Sequence, residues 1–191
     1  MLLPAAFYIV WDIYFTSINV WSFNPAFITG IKIGNLPIEE LLFFFIVPYC
    51  CMFIYECVRC YFPVIKEHTT SAFILQVIAI ALFIAGVIFF KGTYTFYTFI
   101  FTSVFILLFF AFRRYFSNFN LTAFLITFLI CLFPFLVVNG FLTAIPVVIY
   151  NNDENLGLRI YTIPFEDIFY GMLLLMMNIA IYEKLKSNKQ S

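Results

Sequence analysis

Leu36-Pro37-Ile38-Glu39-Glu40-Leu41-Leu42-Phe43-Phe44-Phe45 sets two adjacent carboxylates at the start of a long apolar run, and Ile163-Pro164-Phe165-Glu166-Asp167 does the same later in the chain. Pro37 of the first copy matches Pro164 of the second, which sets the repeat offset at 164 − 37 = 127. At that offset Asn24 meets Asn151, Gly30 meets Gly157, Lys32 meets Arg159 and Ile33 meets Ile160. At the far ends of the runs Tyr55-Glu56 meets Tyr182-Glu183. The match therefore extends beyond the motif, and each half reads as one copy of a repeated unit.

Composition decides the solvent. The chain is 64% hydrophobic and 10% charged, with 29 Phe and 12 Tyr in 191 residues; a soluble domain carries roughly 25% charged residues. The apolar stretches recur at the length of about 20 residues that a spanning helix needs, not as the alternating segments of about ten that a barrel shows. The reading is an all-α membrane protein with six transmembrane helices: Leu2 to Ile18, Ile38 to Cys60, Ser71 to Phe90, Tyr94 to Phe112, Phe119 to Asn139 and Phe165 to Glu183.

Basic residues in short loops stay on the cytoplasmic side. One side collects Arg59, Lys66, Arg113, Arg114, Lys184, Lys186 and Lys189, whereas the other holds Lys32, Lys91 and Arg159. This bias puts the C-terminus in the cytoplasm, with both carboxylate motifs near the opposite face; the membrane expected is the inner membrane of a prokaryote. Two spans precede the motif helix in the second half and one precedes it in the first. Moving the Tyr94 span back by the repeat offset lands before residue 1, so the first unit reads as lacking its N-terminal helix, through shortening or a misassigned start. The organisation expected is a first repeat over residues 1–70, a linker helix over 71–92 and a second repeat over 93–191. An even number of spans separates the units, making them parallel three-helix repeats about an axis along the membrane normal.

Other features carry less. Met1 to Val20 has no basic leader and holds Asp12, unlike a signal peptide. Cys50, Cys51, Cys57, Cys60 and Cys131 have no histidine or second pair at metal-site spacing, so they read as apolar packing. His68 falls in a charged loop. No dinucleotide or phosphate-binding motif is present, so no cofactor is expected, and a net charge of zero gives no sign of nucleic-acid binding.

The plainest account of Pro-x-Glu is a helix start, since Pro suits the first helical position and acids suit the first turn. Two copies of paired ionisable groups at a membrane boundary argue for more, because uncharged caps avoid their cost. Paired carboxyls in apolar surroundings can divide the roles of proton donor and acceptor, and aromatic ring faces can stabilise a carbocation.

The run Trp21-Ser22-Phe23-Asn24-Pro25, Ile28-Thr29-Gly30-Ile31 and Leu36-Pro37-Ile38-Glu39-Glu40, with Trp11-Asp12 before it, resembles the lycopene cyclase domain of bacterial, archaeal and fungal carotenoid pathways. The second half, with Leu142-Thr143, Pro146-Val147-Val148, Tyr150-Asn151, Arg159-Ile160 and Ile163-Pro164-Phe165-Glu166-Asp167, resembles the partner domain, and the chain is similar to the fused form. The resemblance implies a redox-neutral cyclisation of lycopene or a related acyclic carotenoid, with β-carotene the first product it points to. An acid protonates the terminal double bond, the neighbouring double bond attacks the cation, and a base removes a proton. By the same resemblance Glu39 and Glu166 are the acid and base, with Glu40 and Asp167 tuning them or taking over one role. Pro37, Pro164, Asn24, Asn151 and Asp12 are supporting, and a turn role for the two asparagines is an equal alternative. Expected partners are the carotenoid and membrane lipid, and a homo-oligomer is left open. A transporter or a non-catalytic assembly protein is the alternative. A retinal protein is disfavoured, because Phe165 to Tyr182 contains no lysine.

Overall fold

Within a bilayer a backbone polar group has no water to bond, so long apolar segments become helices. The computed structural model describes residues 1–62 and 65–188. Lys189, counted above for topology, lies outside them. Six α-helices are present among the described residues: α1 (Leu2–Ser17), α2 (Ile38–Tyr61), α3 (Thr69–Ile88), α4 (Thr93–Ala111), α5 (Leu121–Ala144) and α6 (Glu166–Asn188). Five of them are long and apolar enough to cross a membrane. The exception is α1, whose 16 residues reach about 24 Å at 1.5 Å per residue, short of a core about 30 Å thick. α5 runs past the expected end at Asn139 as far as Ala144, because Asn139-Gly140 does not break it.

The connectors are more ordered than an all-α reading expects. Strands β1 (Trp21–Phe23), β2 (Lys32–Ile33) and β3 (Leu36–Pro37) lie between α1 and α2, and β4 (Val148–Tyr150), β5 (Arg159–Ile160) and β6 (Ile163–Pro164) lie between α5 and α6. Each connector also holds a 3-10 turn, at Pro25–Phe27 and Asn152–Glu154. Every one of these elements in the first connector has its counterpart in the second at the repeat offset. So do the hairpin tips, where Gly34 (φ 67°) and Tyr161 (φ 59°) both take the left-handed conformation.

Reciprocal contacts join the two motif helices at both ends. In the antiparallel β1–β4 ladder Trp21 pairs with Tyr150 and Phe23 with Val148, so each residue meets the counterpart of the other's position. Asn24 N donates to Val147 O and Asn151 N to Val20 O, both at 2.9 Å. At the opposite end Arg59 pairs with Glu183, and Lys186 pairs with Glu56 at 2.9 Å. The repeat offset again matches Arg59 with Lys186 and Glu56 with Glu183. This is the pattern of an isologous contact, played out within one chain.

The two halves are not covered alike. α4 packs along α6, where Leu173, Met176 and Ala180 are buried, whereas their counterparts Ile46, Tyr49 and Phe53 on α2 are exposed. Tyr8, Trp11, Phe15, Trp21, Phe44 and Tyr94 form an aromatic core beside the β1–β4 ladder.

Charge exchange tests the far clasp. Arg59→Glu sets like charges beside Glu183 and is expected to cost about 1–2 kcal/mol, between exposed and buried pairs. Adding Glu183→Arg should recover at least half of that loss in thermal unfolding in detergent. A double variant no more stable than the single one would overturn the clasp.

Candidate active site

The motif carboxylates take part in building the connectors. Glu39 Oε1 accepts from Thr29 N and Glu166 Oε1 from Leu156 N, both at 2.7 Å. Beside them Ile38 N donates to Ile31 O at 2.9 Å and Phe165 N to Leu158 O at 3.0 Å. Asn35 Nδ2 reaches Ile13 O at 2.9 Å, and Thr162 Oγ1 reaches Gly140 O at 3.3 Å. In each of these pairs donor and acceptor both shift by the repeat offset. Asn24 and Asn151 cap the 3-10 turns, accepting from Ala26 N at 3.0 Å and Asp153 N at 3.1 Å. Both asparagine side chains thus bond within their own turns. Pro37 and Pro164 end the β3 and β6 strands as buried residues where the helices begin.

Adjacent residues on a helix point about 100° apart, so of each acidic pair only one can face the partner helix. Glu39 is exposed and stays on its connector. Glu166 is buried, bonded to Leu156 N and, at 2.5 Å, to Thr95 Oγ1 of α4. Glu40 and Asp167 instead face one cavity of about 60 Å³. Alternate ladder residues Trp21, Phe23, Val148 and Tyr150 line this cavity, whereas Ser22 and Ile149 do not.

Asp167 is held by three donors: Tyr94 Oη at 2.5 Å, Tyr150 Oη at 2.9 Å and Asn139 Nδ2 at 3.2 Å. Burial, and then the charge of Asp167, push the Tyr150 hydroxyl well above its ordinary range, so Tyr150 donates as a neutral phenol. No hydrogen bond reaches the Glu40 carboxyl among the described residues. Asp12 accepts from Trp21 Nε1 at 2.6 Å and lies within electrostatic range of Glu40.

Asp12 and Asn139 are also counterparts at the repeat offset. The first half thus sets a carboxyl near Glu40 where the second half sets an amide on Asp167. Asn139, Tyr94, Tyr150 and Trp21 are absent from the sequence-derived site. Applying the repeat offset to Asp12 would have found Asn139. Tyr94 has no such signal, because its counterpart position precedes residue 1.

Fold and site together define a helical protein with five helices long and apolar enough to cross a membrane, and with a carboxyl and tyrosine cavity at the starts of two helices. The lycopene cyclase family model matches residues 1–58 and 91–185, so the chain belongs to the lycopene cyclase family. Membership implies cyclase activity on a carotenoid in carotenoid biosynthesis. The unmatched stretch between contains α3. No curated protein and no solved structure matches the chain.

Tyr94→Phe leaves the buried Asp167 short of its closest donor and is expected to destabilise the protein by about 1–3 kcal/mol. The exposed Tyr14→Phe should stay within about 0.5 kcal/mol. Equal unfolding midpoints for both in detergent would remove Tyr94 from the site.

Proposed function

We propose that the protein converts lycopene to β-carotene by proton-initiated cyclisation, with Glu40 as the acid and Asp167 as the base. The observation that carries this reading is the unlike hydrogen bonding of two carboxyls that face one cavity. An ionised carboxylate only accepts hydrogen bonds, and Asp167 accepts three; a protonated carboxyl has one O–H to give, and no donor is aimed at Glu40 among the described residues. Glu39 and Glu166, the pair first suggested by the sequence, serve in this reading to fasten the connectors.

In the reaction Glu40 gives its proton to the terminal double bond, leaving a tertiary cation and a carboxylate. The neighbouring double bond forms the ring carbon–carbon bond and moves the cation into the ring. Asp167 removes a proton from an adjacent ring carbon, and a new double bond closes the sequence. The product is an isomer of the substrate, with no electron gained or lost. The proton on Asp167 must return to Glu40 before the next turnover. Tyr94, Tyr150, Tyr170 and Trp21 line the cavity, and a ring face turned to the cation would contribute about 0.5–2 kcal/mol to stabilising it. The ring carbon that reaches Asp167 fixes the ring type.

The same reading takes α1 as the sixth membrane element and residues 1–70 and 93–191 as parallel repeats joined through 71–92. Their pseudo-two-fold passes between α2 and α6 along the membrane normal, a placement supported by reciprocal contacts at both ends. The ion pairs Arg59–Glu183, Lys186–Glu56 and Arg113–Glu67 gather at the end away from the cavity, in keeping with a cytoplasmic C-terminus.

Pigment chromatography of a lycopene-accumulating bacterial host tests the assignment. Glu40→Gln and Asp167→Asn are each expected to lower conversion by about 10²–10⁴-fold while the protein still accumulates in the membrane. Glu39→Gln should retain most of the conversion. Loss at Glu39 with retention at Glu40 would reverse the assignment, and no conversion by the unaltered chain would sink the cyclase reading for this substrate.

A further inference from the structure

An apolar groove of about 210 Å³ runs between α2, α5 and α6. It shares Phe43, Phe135, Asn139 and Tyr170 with the carboxyl cavity, so the two spaces adjoin. One stripe of each helix faces it: Val47, Cys51 and Ile54 of α2, Phe128 and Cys131 of α5, and Gly171 of α6. Pro48 and Pro134 also line it, each removing one rung from its own helix ladder.

We infer that this groove is the binding site for the polyene arm of the carotenoid, and that it delivers the end group to Glu40 and Asp167. The inference rests on the cyclase reading above. Along α2 from Phe43 to Ile54 the helix rises about 16 Å, roughly half the apolar thickness of a bilayer. The groove volume is also below the range of about 300–1,000 Å³ that encloses a drug-sized ligand. It therefore holds one arm of a long substrate, and the other arm stays in lipid. A lipid acyl chain shares this apolar chemistry. The conjugated chain is favoured because the groove is continuous with the acid cavity and presents the flat rings of Phe43, Phe128, Phe135 and Tyr170.

Gly171 is the position from which to block the groove. A Cβ there would stand 3.8 Å from Phe135, an ordinary contact, so the rest of a larger side chain projects into the open space. Gly171→Phe is expected to lower the ratio of conversion of full-length lycopene to that of a short acyclic isoprenoid bearing the same end group by about tenfold or more. An equal loss on both substrates would overturn the groove while leaving the cyclase reading intact, whereas an unaltered chain that cyclises neither substrate would sink that reading first.

The chain's own thiols supply a measurement independent of turnover. Cys51 lines the groove and Cys60 lies outside it, exposed near the end of α2. In lipid vesicles lycopene is expected to slow maleimide labelling of Cys51 about fivefold or more by mass action, with Cys60 unchanged. Equal protection by a saturated hydrocarbon of the same length would show a nonspecific apolar slot, and no protection of Cys51 would show that the polyene lies elsewhere; either result overturns the assignment.

Discussion

Backbone groups beside an apolar phase must find partners within the protein, and the two connectors do so by bonding to each other. The β1–β4 ladder is only three residues long on each side, yet the site depends on it. Its register turns Trp21, Phe23, Val148 and Tyr150 toward the cavity; a slip by one residue would present Ser22 and Ile149 instead. From the ladder each connector proceeds through a capped 3-10 turn and a hairpin to a proline and the first turn of its helix. The rotation of α2 and α6 is fixed by the bonds of Glu39 to Thr29 N and of Glu166 to Leu156 N. Those bonds send the neighbouring Glu40 and Asp167 inward.

A site with two equal carboxyls could not assign an acid and a base. The equality is broken at two places. Asn139 stands where the repeat offset from Asp12 falls, so Asp167 gains an amide donor while Glu40 has a second carboxyl nearby. α4 lies along α6 and contributes Tyr94 and Thr95, whereas the corresponding face of α2 is exposed. Both differences act in one direction, collecting donors on the second half, with none on Glu40 among the described residues.

The long elements were legible because a run such as Thr69–Ile88 or Leu121–Ala144 has no other way to satisfy its backbone in lipid. The ladders were not. Strands of two or three residues are too short to show a period, and β1 owes its pairing to a segment in the other half of the chain. The acidic pairs were legible as pairs. Choosing between Glu39 and Glu40 needed the rotation of the helix, which the apolar sequence around them leaves undetermined. Asn24 and Asn151 illustrate the same limit: an asparagine that can cap a turn or hold a carboxyl is decided by which donor lies two residues on.

Helix starts bear directly on the chemistry. The first turns of α2 and α6 both contribute to the lining of one cavity, and each helix start is equivalent to roughly half a positive charge. This field alone would oppose a carbocation. In the proposed reaction, however, protonation creates the cation and the Glu40 carboxylate together, and the new negative charge falls on the positive end of α2. The Asp167 carboxylate is already present, so two full negative charges then face one positive charge, more than two half-charges can offset. Asp167, the proposed base, experiences the opposite balance, because Tyr94, Tyr150, Asn139 and the start of α6 all favour the charge it would give up. A carbocation is so strong an acid that a weak base suffices, whereas the initial protonation of an alkene is the demanding step. First-turn placement, which by itself would only begin a helix, therefore assists the reaction where assistance is most needed.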